Sequence, residues 1–291
     1  MQPRISIILR SHNDVRYIGD TLNAIRRQSE DRFELVVVDN DSTDGTAEHG
    51  RWAADRFLRI PAGQYRPGPV LNLASARARG DVLVFLNADA TPQGSDWLSH
   101  LVDPLLAGRA VATFGRQLPR GDARPWVRLD YARAFGDGSE QLKWRHFFSL
   151  ANAALLRRVW EQRPFSGTLR YSEDVDWSLW CRESGMPVVY APAARATHSH
   201  NYTLRESWRR HYGEGEAEAE IFGYVPKQDT FARRLLARWA ASIVRDVAHL
   251  CREGQWPALL RSVPVRSVER IAGYVGFQKG LRRRRALHTV S

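Results

Sequence analysis

The chain has 291 residues, 43% hydrophobic and 26% charged, a composition that suits a folded globular protein with a sizeable core. Two cysteines exclude a disulfide framework and point to a reducing compartment; no apolar run approaches the roughly 18 residues of a membrane span, and a strand beginning at Ile5 leaves no room for a signal peptide. The formal charge of +11 is uneven, because residues 231–291 hold thirteen Lys and Arg against Asp246, Glu253 and Glu269.

Residues 5–9, Ile-Ser-Ile-Ile-Leu, predict a first strand that ends at Ser11-His12-Asn13-Asp14. Asn13 or Asp14 can cap the next helix, where Ile18, Leu22 and Ile25 share a face. A second strand over 33–38 ends on Asp39-Asn40-Asp41-Ser42-Thr43-Asp44-Gly45, completing a βαβ unit with a right-handed crossover. A short third strand covers 57–60, and a Gly- and Pro-rich loop over 61–69 leads into a helix containing Asn72 and Ala74. The run Val82-Leu83-Val84-Phe85-Leu86 predicts a central strand buried on both faces, stopping on Asn87 and Asp89. A helix near 97–106 and a strand over 110–114 follow. Neither GxGxxG nor GxxxxGK[ST] follows the first strand, so dinucleotide and P-loop readings lack support.

Residues 116–144 read as a long surface connection, broken by Pro119, Gly121, Pro125, Gly136 and Gly138. Order returns at 147–152, with a short helix near 155–160. Ser172 takes the capping position of a helix over 173–183, with Glu173, Asp174 and Asp176 in its first turn. A last strand over 188–190 precedes Thr197-His198-Ser199-His200-Asn201. A helix over 205–222 then leads to a stripe of Phe231, Leu235, Trp239, Ile243, Val247 and Leu250 at helical spacing, with arginines elsewhere on the circumference. That pattern suits either a membrane surface or packing against the rest of the chain or a second subunit. Gly273, Gly276 and Gly280 lead to a basic, solvated end over 282–285, where anionic headgroups are the natural partners. Nucleic acid is the poorer fit, because the aromatic residues of this tail lie on its apolar stripe.

Three acidic places stand out: Asp39 with Asp41, Asp89, and Glu173-Asp174. The first two belong on one sheet edge, since parallel strands share their carboxyl ends, and His198 and His200 can reach it. A diphosphate leaving group develops charge that a divalent cation stabilises, and Asp89 with a histidine suits Mn²⁺ or Mg²⁺. Asp174 is then available as general base, and Asp39 as acceptor for a nucleotide base or ribose. Alongside Asp39, the polar positions Ser11, Asn13, Asp41, Asn72, Asn87 and Asn152 are candidate donor contacts.

These stretches, with Gly68, Leu71-Asn72, Ala78-Arg79-Gly80-Asp81 and Glu173-Asp174-Val175-Asp176-Trp177, together resemble family 2 glycosyltransferases of the bacterial rhamnosyltransferase type. The resemblance spans residues 5–206 and is loose beyond about Trp208. It implies a GT-A fold: an α/β, Rossmann-like mixed sheet with helices on both faces, over residues 1–225. A basic helical extension over 226–291 completes the chain. It further implies inverting transfer of rhamnose or a similar hexose from a dTDP- or UDP-type donor to a cell-surface glycan or lipid-linked acceptor. Asp39 then contacts the base, Asp89 and one of His198 or His200 hold the metal, and Asp174, next to Glu173, is the catalytic base. Asn87 departs from the family's Asp-x-Asp pattern, a change expected to weaken metal affinity. The expected location is cytoplasmic, peripheral at the inner face of the plasma membrane, with a homodimer as second assembly. A sugar nucleotidyltransferase and a non-catalytic glycan- or membrane-binding scaffold are the rival readings. The former lacks its Gly-rich loop after strand one.

Overall fold

The computed structural model describes residues 4–139, 147–223 and 232–288. Phe231, the boundary expected at 225/226 and the end of the 116–144 connection lie outside them. The described residues fall into two compact units. One comprises the chain up to Gly121, Tyr131–Leu169 and Glu173–Ser199; the other comprises Asp122–Asp130, Arg170–Ser172 and the chain from His200 onward.

In the first unit the elements run β1 (Ile5–Ser11), α1 (Val15–Arg26), β2 (Phe33–Asp39), α2 (Thr46–Ala53), β3 (Arg56–Arg59), α3 (Pro67–Arg77), β4 (Val82–Asn87), β5 (Thr91–Pro92), α4 (Trp97–Leu106) and β6 (Ala112–Leu118). Helix α5 (Pro125–Ala134) is divided between the units at Tyr131. Then come β7 (Asn152–Leu156), α6 (Arg157–Gln162), α7 (Glu173–Glu183) and β8 (Val188–Thr197). The strands form one mixed sheet in the order β3-β2-β1-β4-β7-β6-β8-β5. Strands β1 to β4 are parallel, while β7 lies antiparallel to both β4 and β6. Because β1, β2 and β4 sit mid-sheet, both their faces are covered, and their near-continuous apolar runs follow from that. On one face Ile18, Ile25, Leu98 and Leu101 of α1 and α4 pack against Ile7, Leu9 and Val84. On the other, Val70, Leu71 and Trp177 of α3 and α7 pack against Ile8, Val36 and Phe85. Each such side chain contributes about 1.5–3 kcal/mol of burial.

Several local expectations are corrected. The 116–144 connection contains the end of β6 and helix α5, whose Trp126 is buried. The helix expected near 155–160 is preceded by strand β7, since Asn-Ala-Ala-Leu-Leu is too short a run for periodicity to separate helix from strand. The last strand has ten residues, because its Ala- and Pro-containing half hides the alternation. Helix α3 starts inside the expected loop, with Pro67 in its first turn. Neither Asn13 nor Asp14 caps α1 through its side chain, and Ser172 sits at φ +61 rather than in an extended capping conformation.

The second unit contains α8 (Leu204–Phe222), α9 (Arg238–Arg252), led in by π-type turns over Ala232–Ala237, and α10 (Leu259–His288). Thr203 and Glu206 close a reciprocal capping box at the start of α8. The three glycines expected to lead into a solvated tail instead lie within α10, where they seat it on α8. A Cβ on Gly276 would overlap the Tyr212 carbonyl, and one on Gly280 would stand 2.7 Å from the Glu216 carbonyl. The basic end is likewise engaged: Lys279 pairs with Glu216 at 3.3 Å, and Arg283 with Glu216 and Glu220 at 3.7 and 3.6 Å. The predicted stripe is also shifted, because α9 buries Ser242, Asp246 and Leu250 while Val247 is exposed.

Gly276→Ala is expected to destabilise the chain by about 1–3 kcal/mol, the cost of overpacking, despite the roughly 1 kcal/mol gain in helix propensity. Backbone of α8 cannot rotate away as a side chain can. Urea unfolding followed by circular dichroism checks this; a variant as stable as the parent would show that the crossing opens freely.

Candidate active site at the carboxyl edge of the sheet

Register brings the first two acidic places to one edge. Ser11 of β1 lies opposite Asp39 of β2, and Arg10 lies opposite Asn87 of β4. Asp39 and Asn87 therefore flank β1, about two strand spacings or 10 Å apart.

Asp39 is fully buried. Its Oδ2 accepts the hydroxyls of Ser11 at 2.8 Å and Ser42 at 2.6 Å, and its Oδ1 accepts the Ser42 N–H at 2.9 Å. Asn13, at φ +55, latches the same loop: its N–H donates to Ser42 Oγ and its Oδ1 accepts the Thr43 N–H, both at 2.9 Å. Asp41 turns outward and pairs with Arg59, Nε to Oδ1 at 2.7 Å. Asp14, expected only as a cap, accepts the His12 N–H, and burial pushes its carboxyl up to about 6.

Asn87 gives its Oδ1 to Arg10, at 2.8 Å from Nη2 and 3.2 Å from Nε. Arg10 Nη1 also reaches Glu173 Oε1 at 3.5 Å, and this contact ties α7 to the ends of β1 and β4. Asn87 thus fixes a guanidinium at the edge of the site. Asn72 and Asn152 also bond within the fold. Asn72 accepts from Trp160 Nε1 and the Phe165 N–H and donates to the Phe165 carbonyl. Asn152, fully buried, accepts from Trp97 Nε1 at 2.9 Å and donates to the Ala194 carbonyl at 3.0 Å. Their polar groups are occupied by the fold.

Asp89 is 6% exposed, just past β4, and does not cap α4, whose capping position is Asp96. Its Oδ1 faces His198 Nε2 at 3.5 Å and its Oδ2 lies 3.9 Å from Arg120 Nη2, while Arg120 also donates to the Asp89 carbonyl. The Arg120 guanidinium rests 3.8 Å from the centre of the Tyr17 ring. Gln117 orients the His198 ring: its amide nitrogen donates to Ser149 Oγ at 2.9 Å and its Oε1 lies 2.7 Å from Nδ1, which turns Nε2 toward the Asp89 carboxylate. A carboxylate oxygen and an imidazole nitrogen set this close are a donor pair suited to a divalent cation. His200 belongs to the second unit, two residues farther along, and stacks on Tyr202 with centroids 5.0 Å apart.

Glu173 is buried at the start of α7, and Asp174 accepts the N–H groups of Val175 at 2.8 Å and Leu150 at 3.4 Å. Burial, reinforced by Asp174, pushes Glu173 up to about 7 against the opposing pull of Arg10. Burial also raises Asp174, against its backbone donors. A carboxyl raised in the fold stabilises it below the unfolded-state value and loses that contribution as pH rises through about 7. Glu173→Gln should therefore gain stability over the parent on going from pH 5 to pH 8. Thermal unfolding across that range measures it; a pH-independent difference would mean Glu173 ionises in the fold as it does in water.

Sequence reasoning missed Arg10, Gln117, Arg120 and Tyr65, whose hydroxyl lies 3.4 Å from Arg10. Arg10 and Gln117 end strands facing the site, but nothing local marks them. Their roles depend on partners far along the chain.

The glycosyl transferase family 2 profile matches residues 6–163. The chain is 31% identical to the O-antigen chain rhamnosyltransferase RfbN of Salmonella typhimurium over 73% of this chain and 71% of that protein. It is 28% identical to the O-antigen chain rhamnosyltransferase WbaN of Salmonella anatum over the same shares. Among solved structures it is similar to a mannosyltransferase, PcManGT from Pyrobaculum calidifontis, in complex with GDP-Man and Mn²⁺. That match has a TM-score of 0.66 at 22% identity and covers 97% of this chain and 88% of that one. The likeness shows the GT-A architecture expected from the sequence.

Proposed function

Because this chain belongs to glycosyl transferase family 2, it is a glycosyltransferase, and we propose that it transfers rhamnose or a similar hexose, with inversion, from a dTDP- or UDP-type donor. The acceptor in this reading is a hydroxyl of a cell-surface glycan or of a lipid-linked saccharide. A lipid-linked acceptor would bring the enzyme to the inner face of the plasma membrane.

The observation that carries the reading is the Asp89–His198 pair at the carboxyl end of β4, with the histidine oriented by Gln117. An oxygen and an imidazole nitrogen 3.5 Å apart suit Mn²⁺ or Mg²⁺, and His200 is the proposed further ligand. Such an ion, when bound, neutralises charge developing on the departing diphosphate. The chain's own residues supply the rest. Asp174 takes the proton of the acceptor hydroxyl. Glu173 and Asn87 hold Arg10 beside it. Asp39 keeps a lone pair on Oδ1 for the nucleotide base, within a loop braced by Ser11 and Asn13 and bordered by Asp41.

The test is nucleotide release from dTDP-rhamnose and UDP-sugars, titrated with Mn²⁺. Gln117→Leu is expected to raise the Mn²⁺ concentration for half-activity about 10–100-fold, with the rate at saturating metal largely kept. Turnover indifferent to Mn²⁺ and to EDTA would refute the metal assignment. No turnover of any nucleotide sugar would refute the donor class.

A further inference from the structure

In the second unit, α9 and α10 form a helical hairpin whose seam is polar. Trp239 Nε1 donates to Ser267 Oγ at 3.0 Å, Arg270 Nη2 donates to Ser242 Oγ at 2.8 Å, and Arg266 meets Asp246 at 3.0 Å. In each helix one seam position is followed by an apolar, uncovered residue. Val247 follows Asp246 and is 41% exposed; Ile271 follows Arg270 and is 44% exposed. One step turns a helix by about 100° in the sense of its own chain, so in a hairpin, where the chains run oppositely, both steps lead to the same side. Val244, Val275 and Leu260 extend this face, and Leu260 is 79% exposed. Trp256, 65% exposed, stands in the connection between the helices.

Charge decides what covers such a face. Asp246, Glu253 and Glu269 are the acids of the hairpin, and Arg266 engages two of them, Asp246 and Glu269, away from solvent. At about 100° per residue Arg282 falls on this face of α10 and Arg261 at its border, and both are exposed. A second copy docked two-fold on the same patch would bring arginine rim against arginine rim. An anionic leaflet answers both features, taking apolar side chains below the headgroups, arginines among the phosphates and a tryptophan at the interface.

We infer that the exposed apolar face of the α9–α10 hairpin is a membrane-docking surface for a bilayer containing anionic phospholipid. This deepens the proposed location at the membrane by naming the face. It rests on that location but not on the transfer chemistry.

Sedimentation of the full chain with vesicles tests it, using phosphatidylcholine alone or mixed with phosphatidylglycerol. The parent should sediment with the mixed vesicles, bind phosphatidylcholine weakly, and be released by salt. The double variant Val244→Glu/Ile271→Glu should lose at least about tenfold in vesicle affinity, since each site forfeits apolar burial. Both positions face solvent, so circular dichroism and nucleotide release from a soluble donor should match the parent. Equal sedimentation of parent and variant overturns the inference, as does a parent left in the supernatant. So does a parent that elutes as a dimer, binds no vesicle and becomes monomeric in the variant, which would assign the face to a second copy. If no nucleotide is released but sedimentation behaves as described, the transfer chemistry fails and the docking surface stands.

Discussion

Asp174→Asn is expected to lower kcat/KM for transfer by about 10²–10⁴-fold while leaving donor affinity and thermal stability close to the parent's. The Val175 N–H donates to Oδ1 at 2.8 Å and the Leu150 N–H to Oδ2 at 3.4 Å, so the asparagine oxygen keeps the shorter bond and only the longer, weaker one is lost. Folding should therefore survive a change that removes the base. Steady-state rates, donor titration and melting curves together decide the matter. If Asp174 only complements the dipole of α7, the variant will keep most of its rate, and only a few tenths of a kcal/mol of helix-end stabilisation will be lost. The neighbouring Glu173 provides the contrast. It touches Arg10, so Glu173→Gln should shift the pH profile of the rate more than its maximum, by changing the charge around Asp174.

The second large effect is on stability. Arg266 is 4% exposed and donates to Asp246, Asp130 and Glu269 at 2.7–3.1 Å. Its burial works against the charge, and the three acids more than offset it, raising the guanidinium above its ordinary value. Arg266→Ala leaves Asp246, 1% exposed, as a buried carboxylate with its partner gone, and should cost about 3–5 kcal/mol. Adding Asp246→Asn should recover part of that loss, because the orphaned charge is then removed. Chemical denaturation of both variants measures the coupling. A loss below about 1 kcal/mol for Arg266→Ala would mean that water reaches Asp246 and replaces the arginine.

The parallel half of the sheet was legible from residues alone. Runs such as Val82 to Leu86 must be covered on both faces, and polar residues must stand where such runs stop, so Asp39, Asn87 and Asp89 were placed before any coordinates. Helices α1 and α4 were visible for the same reason, since burial along one element imprints a period on neighbouring residues, whereas α7 was marked by the acids of its first turn. What each polar residue does was another matter. Asn72 and Asn152 carried the family's pattern and proved to bind Phe165 and Ala194, 93 and 42 residues away.

The insertion of β7 between β4 and β6, the pull of Arg10 on both Asn87 and Glu173, and the orientation of His198 by Gln117 belong to the same class. So does the glycine line of α10, which looked like a loosened tail and is a close helix crossing. The sequence by itself determined where the central parallel strands β1, β2 and β4 run and which edge gathers the acids at their ends, because those are consequences of local burial. Only the tertiary structure decided which polar groups are spent on the fold and which face the site. A hydrogen bond is chosen by proximity in space, and no periodicity along the chain records it.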